Sequence, residues 1–415
     1  MTTSIPSRLS RVFFLAAAFL FLGSATAFFC AEAEAQVTVT KSADLNPGIC
    51  LVDFQGPPEI RAKLVSTLER CDWFTICATP AKAKYSLRAV YSNGSSPTLE
   101  MKVTSADGLE IRFTQTVISP RRDWVVYKAV DELLKRLFKV PGLCATNIAF
   151  VNGARGYKEI FLCNFDGSDM MQLTYNKSIS TEPSWGPRAH DLVYTLYQKN
   201  YTDVVLADMV RRSVKRISQF PGLNAGAALS HDGGRAALIL SKDRRVDLYV
   251  MTLNGGGVRP LTSDNFVDYS PCWSPDDKQI CFVSDRARRP NLYLLPAAGG
   301  TARPDPLPTG CGEAVSPDWS AVSNKICFAG GGGSSYSLMV MDMTGGAHRA
   351  EVVPGTQGGK WESPSWAPDG RHVICTREGA GNQRALVMVD TWTGRVLSLT
   401  RDSDLSLPAW SDLHD

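Results

Sequence analysis

One short motif returns through the last two-thirds of the chain, and its spacing restricts the fold more than any other feature. It reads Pro183-Ser184-Trp185-Gly186-Pro187, then Pro271-Cys272-Trp273-Ser274-Pro275-Asp276-Asp277, then Pro364-Ser365-Trp366-Ala367-Pro368-Asp369-Gly370. Weaker copies are Ala228-Leu229-Ser230-His231-Asp232-Gly233, Asp318-Trp319-Ser320 and Pro408-Ala409-Trp410-Ser411-Asp412. The aromatic, or Leu229 in its place, stands at 185, 229, 273, 319, 366 and 410, in steps of 44, 44, 46, 47 and 44 residues. A period of that length, with strand-forming residues between copies, is the signature of a β-propeller.

Each period holds the same parts. A Pro-Asp-Gly turn leads into a strand such as Gln279 to Val283; a second strand such as Asn291 to Leu295 closes on Gly299-Gly300. A third resembles Val258 to Thr262 or Met170 to Thr174, and the fourth carries the next Pro-x-Trp. Alternating β-branched and aromatic residues suit strands half-buried between stacked sheets, while Pro, Asp and Gly supply the turn dihedrals. The Trp residues are read as packing between blades. Strands of the first kind start near Ile148, Leu192, Ala236, Ile280, Ile326 and Val373, so the first unit lacks its own Trp strand and the last has one to spare. Leu407 to Trp410 is therefore expected to complete the first blade and close a six-bladed ring.

Residues 37–145 do not follow the period. Ile49 to Phe54 reads as a buried strand and Pro57 to Arg70 as a helix with Pro near its start. Strands are expected at Trp73–Cys77 and Lys84–Tyr91, and a hairpin over Leu99–Val103 and Leu109–Val117 turning at Ala106-Asp107-Gly108. Asp123 is placed to cap a last helix in which Val126, Val130, Leu133, Leu134 and Leu137 recur at helical spacing. The fold class is thus an all-β six-bladed propeller over 146–415, preceded by a small α+β domain over 48–145.

Residues 1–35 read as a cleaved signal peptide. Arg8 and Arg11 precede an apolar run from Val12 to Leu22, and small-residue sites follow at Ala25-Thr26-Ala27 and Ala33-Glu34-Ala35. The run is too short to span a bilayer, which takes about 20 residues. Cleavage after Ala35 leaves Gln36 first, ahead of an extended segment over 36–47, in an exported protein. Forty-four basic against 41 acidic residues give a formal charge of +3, too even to suggest a nucleic-acid partner. Cys281, Cys327 and Cys375 sit at inward strand positions, where a thiol serves as a small hydrophobe. Cys50, Cys71, Cys77 and Cys144 belong to the first domain; export permits bridges among them and leaves their pairing open.

Catalytic motifs are sparse. There is no Gly-x-Ser-x-Gly elbow, and His190, His231, His348, His372 and His414 show no metal-ligand spacing. Gly330 to Gly333 lacks the Lys-Ser/Thr of a phosphate loop, and Asn164 to Asp169 lacks the terminal Glu of a calcium loop and reads as a turn. No cofactor, metal or catalytic residue is assigned, although carboxylates at the channel mouth leave a cation there an open question.

From about Gly48 onward the chain resembles the TolB family of the Tol–Pal system. The matching stretches include Gly48 to Phe54, Arg122-Asp123-Trp124 to Lys135, Asn147 to Val151, and above all Leu238 to Gly300, with Asp247-Leu248-Tyr249-Val250-Met251 and Phe282-Val283-Ser284-Asp285. The resemblance implies a monomeric periplasmic adaptor and no enzyme. It would bind the peptidoglycan-associated lipoprotein (Pal) through the propeller and TolA through the N-terminal segment, peripheral to the outer membrane, in support of its integrity during division. Gln36-Val37-Thr38-Val39-Thr40 alternates as strand addition to a partner requires, which makes Val37, Thr38 and Val39 candidates. For the lipoprotein, the resemblance points to residues just ahead of each Trp motif around the channel mouth: Thr181, Glu182, Leu223, Asn224, Asp268, Tyr269, Ser270, Glu313, Trp361, Glu362 and Ser363, with Tyr269 and Trp361 as anchors. Leu223 and Ser270 stand where relatives carry more polar residues, which marks a divergent member. The alternative is a secreted propeller enzyme, a carbohydrate hydrolase or lyase, with its site among the same mouth loops.

Overall fold

The computed structural model describes residues 46–414 apart from 154, 155, 255, 347, 380, 382 and 401–403. The expected signal peptide over 1–35 and the candidates Val37, Thr38 and Val39 lie outside the described residues. No helix among the described residues is long and apolar enough to cross a membrane.

Residues 48–138 form one sheet with two helices. Strands β1 (Gly48–Gln55), β2 (Thr75–Ile76), β3 (Tyr85–Asn93), β4 (Pro97–Ser105) and β5 (Ile111–Ile118) lie in the order β2-β1-β3-β4-β5. β1 runs parallel to both neighbours and the rest are antiparallel. Helices α1 (Pro58–Arg70) and α2 (Arg122–Phe138) pack together, burying Ile60, Leu64 and Leu68 from one and Val126, Val130, Leu133 and Leu134 from the other. Asp123 does not cap α2: the cap position is Arg121, without a side-chain bond, and Asp123 sits in the first turn. The expected strand at Trp73–Cys77 shrinks to two residues because Trp73 and Phe74 turn into the core.

The connection to the propeller is held by one carboxylate. Asp131 accepts the backbone N–H groups of Leu143, Cys144 and Ala145 at 2.9, 2.8 and 2.7 Å. A Cβ on Gly142 would come within 2.0 Å of the Asp131 carboxylate, so only glycine allows this approach.

Six four-stranded antiparallel sheets follow. In each, the innermost strand carries the repeat motif: Leu405–Trp410 in blade 1, Ser180–Trp185 in blade 2, Asn224–Leu229 in blade 3, Asp268–Trp273 in blade 4, Glu313–Trp319 in blade 5 and Trp361–Trp366 in blade 6. Blade 1 joins Leu405–Trp410 to Asn147–Asn152, Glu159–Asn164 and Met171–Gln172, pairing Trp410 with Ile148. The ring closes through the last strand of the chain, as the phase of the repeat requires.

The Trp residues clasp blade to blade as well as fill space. Trp185 Nε1 donates to the Ala409 carbonyl at 3.1 Å, Trp273 Nε1 to Ala228 at 2.9 Å and Trp366 Nε1 to Asp318 at 3.1 Å. Leu229 has no N–H to do this. The inward strand thiols are buried, Cys281, Cys327 and Cys375 with none of their surface exposed, and all ten described cysteines are free thiols.

Candidate functional site

Every innermost strand breaks its pleat at one place. Glu182, Gly226, Ser270, Ser316, Ser363 and Leu407 all have φ between 49° and 59°, each three residues before the motif aromatic. At each, the pairing register with the next strand shifts. Six β-bulges therefore ring the channel, and five of the six bulge residues precede proline. Non-glycine residues enter this left-handed region at a cost of roughly 1–2 kcal/mol, which the surrounding ladder has to offset.

The bulge decides where the predicted site residues point. Glu182, Ser270 and Ser363 are bulge residues themselves. Glu182 reaches into the next blade, its Oε2 accepting Thr195 Oγ1–H at 2.8 Å and the Gly226 N–H at 3.0 Å. Burial raises its carboxyl against those two bonds. Asn224 is wholly buried: Oδ1 accepts from Ser218 Oγ at 2.6 Å and Phe220 N at 2.9 Å, while Nδ2 donates to the carbonyls of Thr202 and Phe220 at 2.8 and 2.7 Å. Leu223, Thr181 and Asp268 are buried too. Glu313 accepts the Tyr336 hydroxyl, and burial together with that carboxylate pushes the phenol well up. Burial also raises Glu362, with Arg384 opposing and Glu378 assisting.

The two expected anchors differ in exposure. Trp361 is 3 % exposed, packed with Val373, Cys375 and Val387 in blade 6 beneath the Arg377 guanidinium, 5.2 Å from its ring. In this position Trp361 packs within blade 6 and leaves little surface for a partner. Tyr269 is half-buried, and its hydroxyl has no hydrogen-bond partner.

A group of exposed aromatics lies on the same end of the ring. The innermost strands start at that end, so the loops preceding them and the hairpins between second and third strands share it. Those loops expose Tyr157 (50 %), Tyr175 (72 %), Tyr201 (48 %), Phe266 (41 %) and Ile179 (38 %). The sequence carried the aromatics in view, but the repeat drew attention to the strands and away from the loops.

The opposite end, where the motif aromatics sit, is taken by the α+β domain. Lys63 Nζ and Tyr127 OH both reach Asp166 Oδ2, at 3.0 and 2.9 Å, in the blade 1 turn. At blade 6, Trp73 Nε1 donates to Asp369, and Arg395 pairs with Asp72. The guanidinium of fully buried Arg371 stands 4.7 and 4.5 Å from the rings of Trp73 and Trp392, which meet edge to face, and holds Asp390 through Nε and Nη2 at 3.0 and 2.6 Å. Asp72, His372 and Asp390 bring ligand atoms within 4.8 Å of one another here; Arg371 holds Asp390 and Arg395 one oxygen of Asp72, while Asp72 Oδ2 and His372 Nε2 have no hydrogen-bond partner. The channel cavity at this end, about 150 Å³, is lined by Ser184, Cys272, Asp318 and Ser365 beside the motif aromatics. Asp318 accepts the Trp366 N–H at 2.7 Å, and burial raises its carboxyl.

A family model described as the TolB beta propeller domain matches residues 134–414. The chain belongs to the TolB β-propeller family. Among curated relatives, a TolB homolog of Chlorobium luteolum is 31 % identical over 175 residues, 41 % of this chain and 39 % of that one. A Tol-Pal system protein TolB of Anaeromyxobacter dehalogenans is 32 % identical over 150 residues, 36 % of this chain and 34 % of its own. The matches thus span little more than a third of each relative's length. The crystal structure of TolB from Acinetobacter baumannii superposes with a TM-score of 0.78 at 21 % identity, over 89 % of this chain and 97 % of that one, a likeness of fold that takes in the α+β domain as well.

Proposed function

We propose that this TolB-family chain is a periplasmic adaptor of the Tol–Pal system whose mouth face receives the peptidoglycan-associated lipoprotein. The observation that carries this reading is the distribution of exposed aromatics: Tyr157, Tyr175, Tyr201 and Phe266 cluster on the end of the propeller that the α+β domain leaves uncovered. Tyrosine and phenylalanine lose little side-chain entropy on binding and are favoured interface anchors. Of the residues ringing the channel, Tyr269, Ser270, Glu182, Glu313, Glu362 and Ser363 retain access and form the inner rim of the proposed surface. The buried Thr181, Leu223, Asn224, Asp268 and Trp361 support that rim from beneath.

A second partner, TolA, is assigned to the segment over 36–47, with Val37, Thr38 and Val39 adding a strand to its sheet. The signal peptide over 1–35 delivers the mature chain to the periplasm. A carbohydrate hydrolase or lyase with its site among the same mouth loops is the alternative reading.

Affinity capture from an envelope extract, with the mature protein immobilised, tests the reading. The wild type is expected to retain the lipoprotein, and a Tyr175→Ser, Tyr201→Ser double variant to lose it at unchanged melting temperature. Deleting residues 36–44 is expected to abolish TolA capture alone. Undiminished lipoprotein capture by the double variant, or turnover of a glycan by the wild type, would overturn the assignment.

A further inference from the structure

Blades 3 and 4 meet at the mouth face through three carboxylates. Asp247 opens the third strand of blade 3 (Asp247–Thr252), Asp268 opens the innermost strand of blade 4, and Asp264 lies in the loop between the two blades. One ligand oxygen from each lies within 4.8 Å of the other two. Asp247 and Asp268 are 1 % and 0 % exposed, whereas the Asp264 side chain is 36 % exposed and opens the cluster to solvent.

The Ser284 and Thr262 hydroxyls lie by the Asp268 carboxyl and oppose the effect of its burial. Asp247 Oδ1 and Asp268 Oδ2 lack any hydrogen-bond partner. A carboxylate oxygen withdrawn from water without a partner is costly. The nearby cations fall short of both atoms: Arg286 reaches Asp268 Oδ1 at 3.1 Å and Asp264 Oδ2 at 3.4 Å, and Arg245 Nε stands 3.8 Å from Asp247 Oδ2. Three carboxylates against two guanidinium groups leave one negative charge over.

Other seams are filled differently. In blade 1, Glu159 is satisfied by Thr174 Oγ1 at 2.5 Å and the Lys177 N–H at 2.7 Å. In blade 4 the corresponding residue is Asn291, neutral and bonded to Thr309 Oγ1 at 2.8 Å. In blade 2 the corresponding Asp203 is buried with neither oxygen hydrogen-bonded, 3.3 Å from Arg216, but the next blade opens on Asn224 where blade 4 opens on Asp268. What distinguishes the junction of blades 3 and 4 among these seams is therefore a second buried aspartate, Asp268, brought beside Asp247 together with Asp264.

The donors are all oxygen, and none is sulfur or imidazole, which selects a hard cation over zinc or copper. We propose that Asp247, Asp264 and Asp268 bind one divalent cation, Ca²⁺ or Mg²⁺, which fastens blade 3 to blade 4. None of the three lines the channel cavity, so the site is separate from it.

The test uses the mature protein stripped with EDTA, titrated calorimetrically with CaCl₂ and MgCl₂ and melted with and without each salt. The expected result is one ion bound at this site and a melting temperature raised by about 2–4 °C near saturation. Asp247→Asn and Asp264→Asn are each expected to weaken binding roughly tenfold or more, since ligand charge count sets affinity at such sites. Should Asp247→Asn fail to fold, the half-exposed Asp264→Asn decides alone. Binding by Asp264→Asn equal to wild type would place the ion elsewhere and overturn the proposal. So would a stripped protein that responds to neither salt and gains stability only as the pH is lowered from 7 to 5, which would make the occupant a proton.

Discussion

The Trp73 indole N–H donates to Asp369 Oδ2 at 2.9 Å across a buried junction, joining residues 296 positions apart in the chain. Asp369 is the aspartate of a Pro-Asp-Gly repeat turn. In blade 4 the equivalent Asp276 only closes its own turn, accepting from Ser274 Oγ and Lys278 N in solvent. In blade 6 the same residue type has become the socket for the α+β domain.

Trp73→Phe keeps the ring's packing against Phe138 and Arg371 while deleting this bond. The expected loss is about 1–3 kcal/mol, because a buried carboxylate loses a donor. Urea unfolding checks the value, and limited proteolysis should show earlier cutting between residues 139 and 146.

Acid should weaken the same junction. Burial pushes Asp390 up, but Arg371, His372 and Thr393 outweigh it and hold its carboxyl down at about 2. A folded value below the unfolded one, near 3.9, means that the stabilisation is complete above about pH 4 and is lost as pH falls through 2. Melting temperatures between pH 5 and pH 2 are expected to fall less steeply in Asp390→Asn than in the wild type. Parallel slopes would show that Asp390 carries no such share.

The bulges make a prediction that ordinary strand rules would reverse. Ser363→Gly places the most permissive residue at φ 49° and is expected to match or exceed wild-type stability by up to about 1 kcal/mol. Ser363→Val, favourable in a regular strand, is expected to cost about 1–2 kcal/mol, since a β-branched residue resists the left-handed region. Circular-dichroism melts of the two variants distinguish a bulge from a regular pleat.

Trp361→Ala should lower stability by about 3–5 kcal/mol, the range for emptying a large buried aromatic site. Differential scanning calorimetry measures it. A stable Trp361→Ala protein with weakened lipoprotein capture would instead return Trp361 to the interface.

Removing residues 404–415 deletes the innermost strand of blade 1 and with it the Trp410 Nε1 bond to Thr146 Oγ1 at 2.8 Å. The melting temperature is expected to drop sharply. An unchanged melt would contradict ring closure by this strand.

The six blades were legible because each turn and each Trp recurs locally, within a few residues of the same neighbours. Blade closure followed from the phase of that recurrence. The side-chain directions at the mouth were not legible, and the bulge is the reason. One extra residue before each Pro-x-Trp reverses the two-residue alternation, turning Trp361 and Asp268 into the protein when a regular strand would leave their order open. The signal was present as Glu, Ser, Ser, Ser and Leu before proline at 182, 270, 316, 363 and 407, but residue type alone does not announce a left-handed backbone. The domain junction was illegible for a different cause: Trp73 with Asp369, and Asn46 with Arg371, are pairs whose members lie far apart in sequence and share no periodicity.

Closure by Leu405–Trp410 also has a bearing on synthesis. The strand Asn147–Asn152 is made more than two hundred residues before the segment that pairs with it. Until then blade 1 offers an unpatched edge, a place for a chaperone to hold or a protease to cut. A chain lacking residues 405–410 would keep that edge unpaired, so blade 1 is complete only once this strand has been made.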